Sequence, residues 1–199
     1  VIGRLLEAEG YRIAVVPQPN WQDDLRDFRK LGTPRLFFGV TAGAMDSLVN
    51  HYTANLRLRS NDAYTPGGKA GFRPDRAVEV YTRILKRLFP RVPVVIGGIE
   101  ASLRRLTHYD YWSDALRPPI LVTSGADLLI YGMGERVVQQ VARAMRNGYN
   151  AKLLRKIRQV AFLADEAYVS RLDPDRTIRL HGYEECLRDK RAFGENFTV

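Results

Sequence analysis

An open α/β sheet, parallel and covered by helices on both faces, is the fold class that this 199-residue chain predicts. Three observations carry the expectation. Short β-branched apolar runs alternate with longer amphipathic stretches, as strand–helix units do. The runs are nearly continuous in apolar residues, as strands buried on both faces should be. Glycines also follow three of the runs, where a strand can turn sharply into a helix.

The expected strands are Arg12–Val16, Arg35–Val40, Val92–Ile96, Ile120–Val122 and Leu128–Tyr131. Helices are expected at Ile2–Glu9, Trp21–Leu31, Asp75–Phe89, Glu100–Leu106 and Glu135–Arg146. In the third of these, Ala77, Val78, Tyr81, Ile84, Leu85 and Leu88 recur at helical spacing and define one apolar face. Asn50–Pro74, rich in Gly, Pro, Asn and Asp, predicts a long irregular segment, and such a loop in a compact domain is usually functional or disordered. Residues 1–148 form the expected domain. Residues 149–199 read as a C-terminal extension with a basic helix near Ala151–Lys156 and strands at Val160–Leu163 and Thr177–His181.

Composition excludes some functions. No apolar run approaches the ~20 residues that span a bilayer, and no signal-peptide pattern opens the chain. The single cysteine, Cys186, allows no intrachain disulfide, and a cytoplasmic location is expected. The net charge of +9 favours anionic partners in general, but Arg83, Lys86, Arg87 and Arg91, like Lys152, Arg155, Lys156 and Arg158, have the spacing of wet helix faces. A nucleic-acid surface is therefore the less favoured reading.

Several motifs fail on inspection. Gly67-Gly68-Lys69 lacks the upstream Gly and the following Ser or Thr of a phosphate loop, since Ala63 and Ala70 stand there. Tyr131–Arg136 offers Gly-x-Gly at a strand end, but Val137 occupies the place of a third dinucleotide-binding glycine. His51, His108 and His181 have no metal-ligand spacing. Ser102 and Ser124 lack the nucleophile-elbow context. No catalytic set can be assembled, and none is expected in this chain.

The glycine turns are more informative. Thr41–Gly43, Gly97–Gly98 and Gly132 with Gly134 should share the edge at the carboxyl ends of the strands, where open α/β sheets bind ligands. Thr41, Gly43, Gly97, Gly98, Glu100, Ser102, Gly132, Gly134 and Glu135 are thus expected to line one crevice. The alternative reading is that glycine at such turns serves only the tight change of direction. Arg104, Arg105, His108, Asp110 and Tyr111 form a dense polar set just beyond, expected at the crevice rim or at a domain interface.

"FFGVTAGAMDSLVNHYTANLRLRSNDAYTPGG", "RPDRAVEVYTRILKR", "VPVVIGGIEASLRRLTHYDYWSD" and "ADLLIYGMGER" closely resemble the N-terminal region of YgiQ-type radical SAM proteins. "TIRLHGYEECLRDKRAFGENF" is similar to the segment that follows in that family. The resemblance implies a flavodoxin-like, cobalamin-binding-like domain that precedes a radical SAM barrel. For the full-length protein it implies a 4Fe-4S cluster and S-adenosylmethionine, with cobalamin as an alternative cofactor. The cluster needs Cys-x-x-x-Cys-x-x-Cys, and the barrel bearing it would lie beyond Val199. The cobalamin motif Asp-x-His-x-x-Gly would precede Val1, so the chain reads as a fragment that lacks its first strand. In the flavodoxin-like order 2-1-3-4-5 that strand lies between Arg12–Val16 and Arg35–Val40. Those two should then pair directly, or Val160–Leu163 should fill the gap.

Overall fold

A computed structural model describes residues 1–148 and 153–198. Its strands are β1 (Phe38–Val40), β2 (Val94–Gly97), β3 (His108–Asp110), β4 (Ala115–Arg117), β5 (Leu128–Ile130) and β6 (Val160–Ala161). The main sheet has the order β1-β2-β5-β6. β1, β2 and β5 run parallel, with Val40 opposite Ile96 and Ile96 opposite Leu129. β6 closes one edge antiparallel to β5, and β3 with β4 makes a separate hairpin. The architecture is the expected open α/β sheet, mixed at one edge.

Alternation along the strands explains their unbroken hydrophobicity. Val94, Ile96 and Leu129 join the core built with helices Ala77–Leu88 and Ile120–Ser124. Val95, Leu128 and Ile130 join a second core with helices Ile2–Ala8 and Glu135–Arg146. Both faces are thus covered, and each buried Val, Leu or Ile contributes roughly 1.5–3 kcal/mol. Along Ala77–Leu88 the expected face is the buried one at Ala77, Val78, Tyr81, Ile84 and Leu85.

Several expected elements differ. Ile120–Val122 is not a strand but the start of a helix, and its punctuation explains why: Pro119 precedes it and Gly125, at φ 73°, ends it in the left-handed region. Arg12–Val16 forms no strand, and Val15 is 75% exposed. Trp21–Leu31 is helical only at Arg26–Arg29, because the Asp23 and Asp24 carboxylates accept from the Leu25 and Arg26 N–H groups at 2.8 and 3.1 Å and hold turns instead. The Glu100–Leu106 helix begins earlier and stops at Leu103.

In the extension, Val160–Ala161 pairs with β5 at the far edge, so it does not fill a gap beside β1. Thr177–His181 forms no strand. The start of the basic helix expected at Ala151–Lys156 lies outside the described residues, and Leu153–Lys156 is a 3-10 turn.

Candidate functional site

The carboxyl ends of β1, β2 and β5 bring the three glycine turns together. Ser102 Oγ accepts from the Gly132 N–H at 3.3 Å, and the Arg105 guanidinium lies 5.2 Å from the Tyr131 ring centre. Most of the glycines meet the chain's own atoms rather than open space. A Cβ on Gly97 would stand 3.2 Å from the Ile130 carbonyl, and one on Gly134 would be 3.1 Å from Ile130 Cγ2. At Gly132 it would approach Gln159 Nε2 to 3.2 Å, and at Gly98 the Thr41 hydroxyl to 2.5 Å. Gly43 alone of this group faces free space. Glu135 is half-buried and opens the helix after β5.

Glu100 points inward. It is 1% exposed, and its carboxylate accepts from Ser47 N–H at 3.0 Å and Val78 N–H at 2.9 Å. Those donors belong to the first turns of helices Ser47–His51 and Ala77–Leu88, so one side chain ties two helix starts to the turn after β2. Burial outweighs the hydrogen bonds from Ser47 and Val78 and the nearby Arg104 charge, and pushes the Glu100 carboxyl above its usual range.

Arg104 and Asp110 belong to the same buried layer. Arg104 pairs with Asp46, whose other oxygen accepts from Leu48 and Val49 N–H at 3.0 and 3.3 Å. Asp110 accepts from Arg76 and from the Ser113 hydroxyl. Burial works against the Asp110 anion, but Ser113 and Arg76 outweigh it and hold its carboxyl below the ordinary range. Arg105, His108 and Tyr111 lie farther out. Arg105 donates to Ser102 O at 2.8 Å, and Tyr111 donates to Ala54 O at 2.8 Å. His108 is half-buried with Nδ1 3.1 Å from Leu106 O, and burial lowers its pKa.

Sequence reading missed Asp46 and Arg76, although Asp46 before "SLV" carries an N-cap signal. It also missed the order inside the long loop. Asp62 is held by Arg73 through Nε at 2.9 Å and Nη2 at 3.2 Å, both side chains being buried. Burial alone would raise Asp62, but donors from Tyr64, Asn50, Arg73 and Thr65 hold its carboxyl at about 2. His51 Nδ1 and the Tyr52 hydroxyl each meet an oxygen of Asp75 at 2.9 Å.

Several large apolar side chains in and after these turns are exposed. Ile99, Leu103, Leu106, Tyr109 and Met133 are 46% to 77% exposed. Ile99 and Leu103 are four residues apart on one helix face, and the Ser102–Gly132 bond places that helix beside the loop of Met133. Exposed apolar patches of this kind mark contact surfaces.

A model of the Radical SAM N-terminal family matches residues 1–199. The chain is 62% identical to a UPF0313 protein of Porphyromonas gingivalis over 99% of its own length and 31% of that protein's. It is 54% identical to one from Bacteroides thetaiotaomicron, over 99% of this chain and 33% of the relative. A UPF0313 protein of Clostridium botulinum is 43% identical over 100% of the chain and 30% of the relative. The chain therefore spans about a third of these relatives. No solved structure matches it. Matched from end to end by the family model and to close relatives along the same residues, the chain belongs to the Radical SAM N-terminal family.

Proposed function

We propose that this domain is the N-terminal accessory part of a radical SAM enzyme, with residues 1–148 as its body and 149–199 leading toward the catalytic barrel. In the full-length protein that barrel would hold a 4Fe-4S cluster and cleave S-adenosylmethionine. The apolar band of Ile99, Leu103, Leu106, Tyr109 and Met133 is the observation that carries the reading, as the surface that packs on the barrel. Thr41, Gly43 and Ser102, with the outer Arg105, His108 and Tyr111, would face its entrance.

The residues present do not fit the cluster themselves. An open-iron cluster needs three thiolates, and Cys186 is the chain's one cysteine, 1% exposed. Nor do the glycine turns fit a corrinoid, because Thr41, Ile130 and Gln159 already occupy the spaces beside Gly98, Gly97, Gly134 and Gly132. Nucleic acid stays the less favoured partner. Arg83, Lys86 and Arg143 are paired with Glu79, Asp127 and Glu9 at 2.8, 2.9 and 2.6 Å, as on solvated helix faces. Among the described residues no helix is long and apolar enough to cross a membrane.

Reconstitution with iron and sulfide under anaerobic reducing conditions tests the proposal. The full-length protein should gain a site-specific cluster and form 5′-deoxyadenosine, while the 199-residue chain does neither. Turnover by the chain alone, or none by a fully loaded longer protein, would overturn it.

A further inference from the structure

One edge of the main sheet is open. β1 ends the order β1-β2-β5-β6, so its outer side has no partner among the described strands. Phe38 donates inward to Pro93 O at 2.9 Å, and alternation turns the N–H and C=O of the exposed Gly39 outward. Among the described residues Arg12–Val16 makes no backbone hydrogen bond either, although Ile13, Val15 and Val16 give it strand character. Ile13 and Val15 are 41% and 75% exposed. Open apolar edges of this kind are a liability that proteins cover.

Helix Ile2–Ala8 locates the strand that would close this edge. It lies on the face of Val95, Leu128 and Ile130, together with helix Glu135–Arg146. The two run the same way. Glu9, at the end of the first, pairs at 2.6 Å with Arg143 in the last turn of the second, and the Arg146 guanidinium lies 5.1 Å from the Tyr11 ring centre. Both helices therefore return from the carboxyl edge of the sheet to its amino edge. The chain then doubles back, since a Cβ on Gly3 would lie 3.6 Å from Ile13 Cγ2 and 4.0 Å from Val15 Cγ2. Arg12–Val16 thus runs in the direction of β1.

The handedness of crossovers fixes the order. β1 leads to β2, and β2 to β5, through helices Ala77–Leu88 and Ile120–Ser124 on the opposite face, that of Ile96 and Leu129. Right-handed crossovers over one face step across a sheet in one direction, and over the other face in reverse. Strands joined by Ile2–Ala8 must therefore step away from β5, the earlier one beside β1 and Arg12–Val16 outside it. Direct pairing of Arg12–Val16 with β1 would put the earlier strand outside and make the crossover left-handed.

We infer that a strand from the segment preceding Val1 in the full-length protein inserts between Arg12–Val16 and β1, parallel to both. The chain spans about a third of its relatives, which leaves length for such a segment. Lying inside the sheet, the strand would be apolar on both faces. Its C-terminal turn would come beside Thr41–Gly43, where Gly43 faces free space. The strand order reverses at that point, which is where open α/β sheets hold ligands. The preceding segment would then supply one wall of the crevice.

Hydrogen exchange and photo-crosslinking of the full-length protein test this. The Gly39 amide and alternate amides of Arg12–Val16 should exchange about 100-fold or more slower than in an unstructured chain. Val15→p-benzoylphenylalanine, at a position 75% exposed, should crosslink on irradiation to residues before Val1. Fast exchange at Gly39 and throughout Arg12–Val16 would overturn the proposal. So would a crosslink map without residues before Val1, whether it shows the region after Val199, a second copy or nothing. Neither readout involves iron, S-adenosylmethionine or the band around Leu103, so failure here leaves docking on the barrel untouched.

Discussion

The bare α-carbon of Gly98 lies against the Thr41 hydroxyl, so closely that a Cβ there would come within 2.5 Å of Oγ1. Gly98 also has φ +84°, in the left-handed region that side chains resist. Gly98→Ala should therefore destabilise the domain by about 2–4 kcal/mol, combining backbone strain with the clash. Thr41→Ala in the same chain removes Oγ1 and should restore part of the loss, while the backbone cost remains. Denaturant midpoints for the two single variants and the double variant measure this. Equal loss with and without Thr41→Ala would remove the steric half of the argument.

Asp62 sets the acid limit. Its folded carboxyl lies at about 2, against an ordinary value of 3.8. A depressed carboxylate contributes stability that is complete above the unfolded value and lost as pH falls through the folded one. About 2 kcal/mol should then disappear between about pH 4 and pH 2. Asp62→Asn would also leave the Arg73 guanidinium buried without its counter-charge, at a cost of roughly 3–5 kcal/mol near neutral pH. That deficit should shrink as the pH falls. A deficit independent of pH would show that Asp62 is not ionised in the fold.

Much of the fold was legible because strands buried on both faces write themselves as apolar runs. Phe38–Val40 and Leu128–Ile130 fall within expected strands, and Val94–Gly97 overruns the expected Val92–Ile96 by one residue. Ile120–Val122 reads identically by composition, and only Pro119 and Gly125 reveal the helix. Arg12–Val16 fails for another reason: strand character is a property of a pair, and none of the described strands pairs with it. The glycine turns were legible as a shared edge. Their cause was not, since Ile130, Thr41 and Gln159 are brought to those glycines only by tertiary packing. The Asp62–Arg73 and Asp46–Arg104 pairs span 11 and 58 positions, and no local pattern joins such residues.

Glu100 should respond to pH in the opposite sense to Asp62. Its carboxyl is raised from an ordinary 4.5, so the folded state holds the proton more tightly than the unfolded chain. Its contribution is greatest below the unfolded value and declines as pH rises through the folded one. Glu100→Gln keeps an acceptor for one of the two N–H groups and has no charge to bury. The variant will be less stable than the parent at acid pH, where both carry a neutral side chain. Its deficit should narrow as the pH rises above about 4.5. A deficit that widens instead would mean that the ionised carboxylate is the better partner for the two helix starts.

The apolar band supplies the last prediction, which separates a surface that merely exists from one that is used. Leu103 is 62% exposed, so Leu103→Asp should change the stability of the 199-residue chain by no more than about 0.5 kcal/mol. In the longer protein the same change would bury an unpaired carboxylate at a contact surface, which is expensive. The thermal midpoint of the longer protein should drop by several degrees. Hydrogen exchange gives the local readout. Amides of Gly98–Leu103 should exchange more slowly in the longer protein than in the isolated chain, and Leu103→Asp should abolish the difference. Equal exchange in the two proteins, or a Leu103→Asp variant of the longer protein as stable as its parent, would place the docking surface elsewhere on the domain.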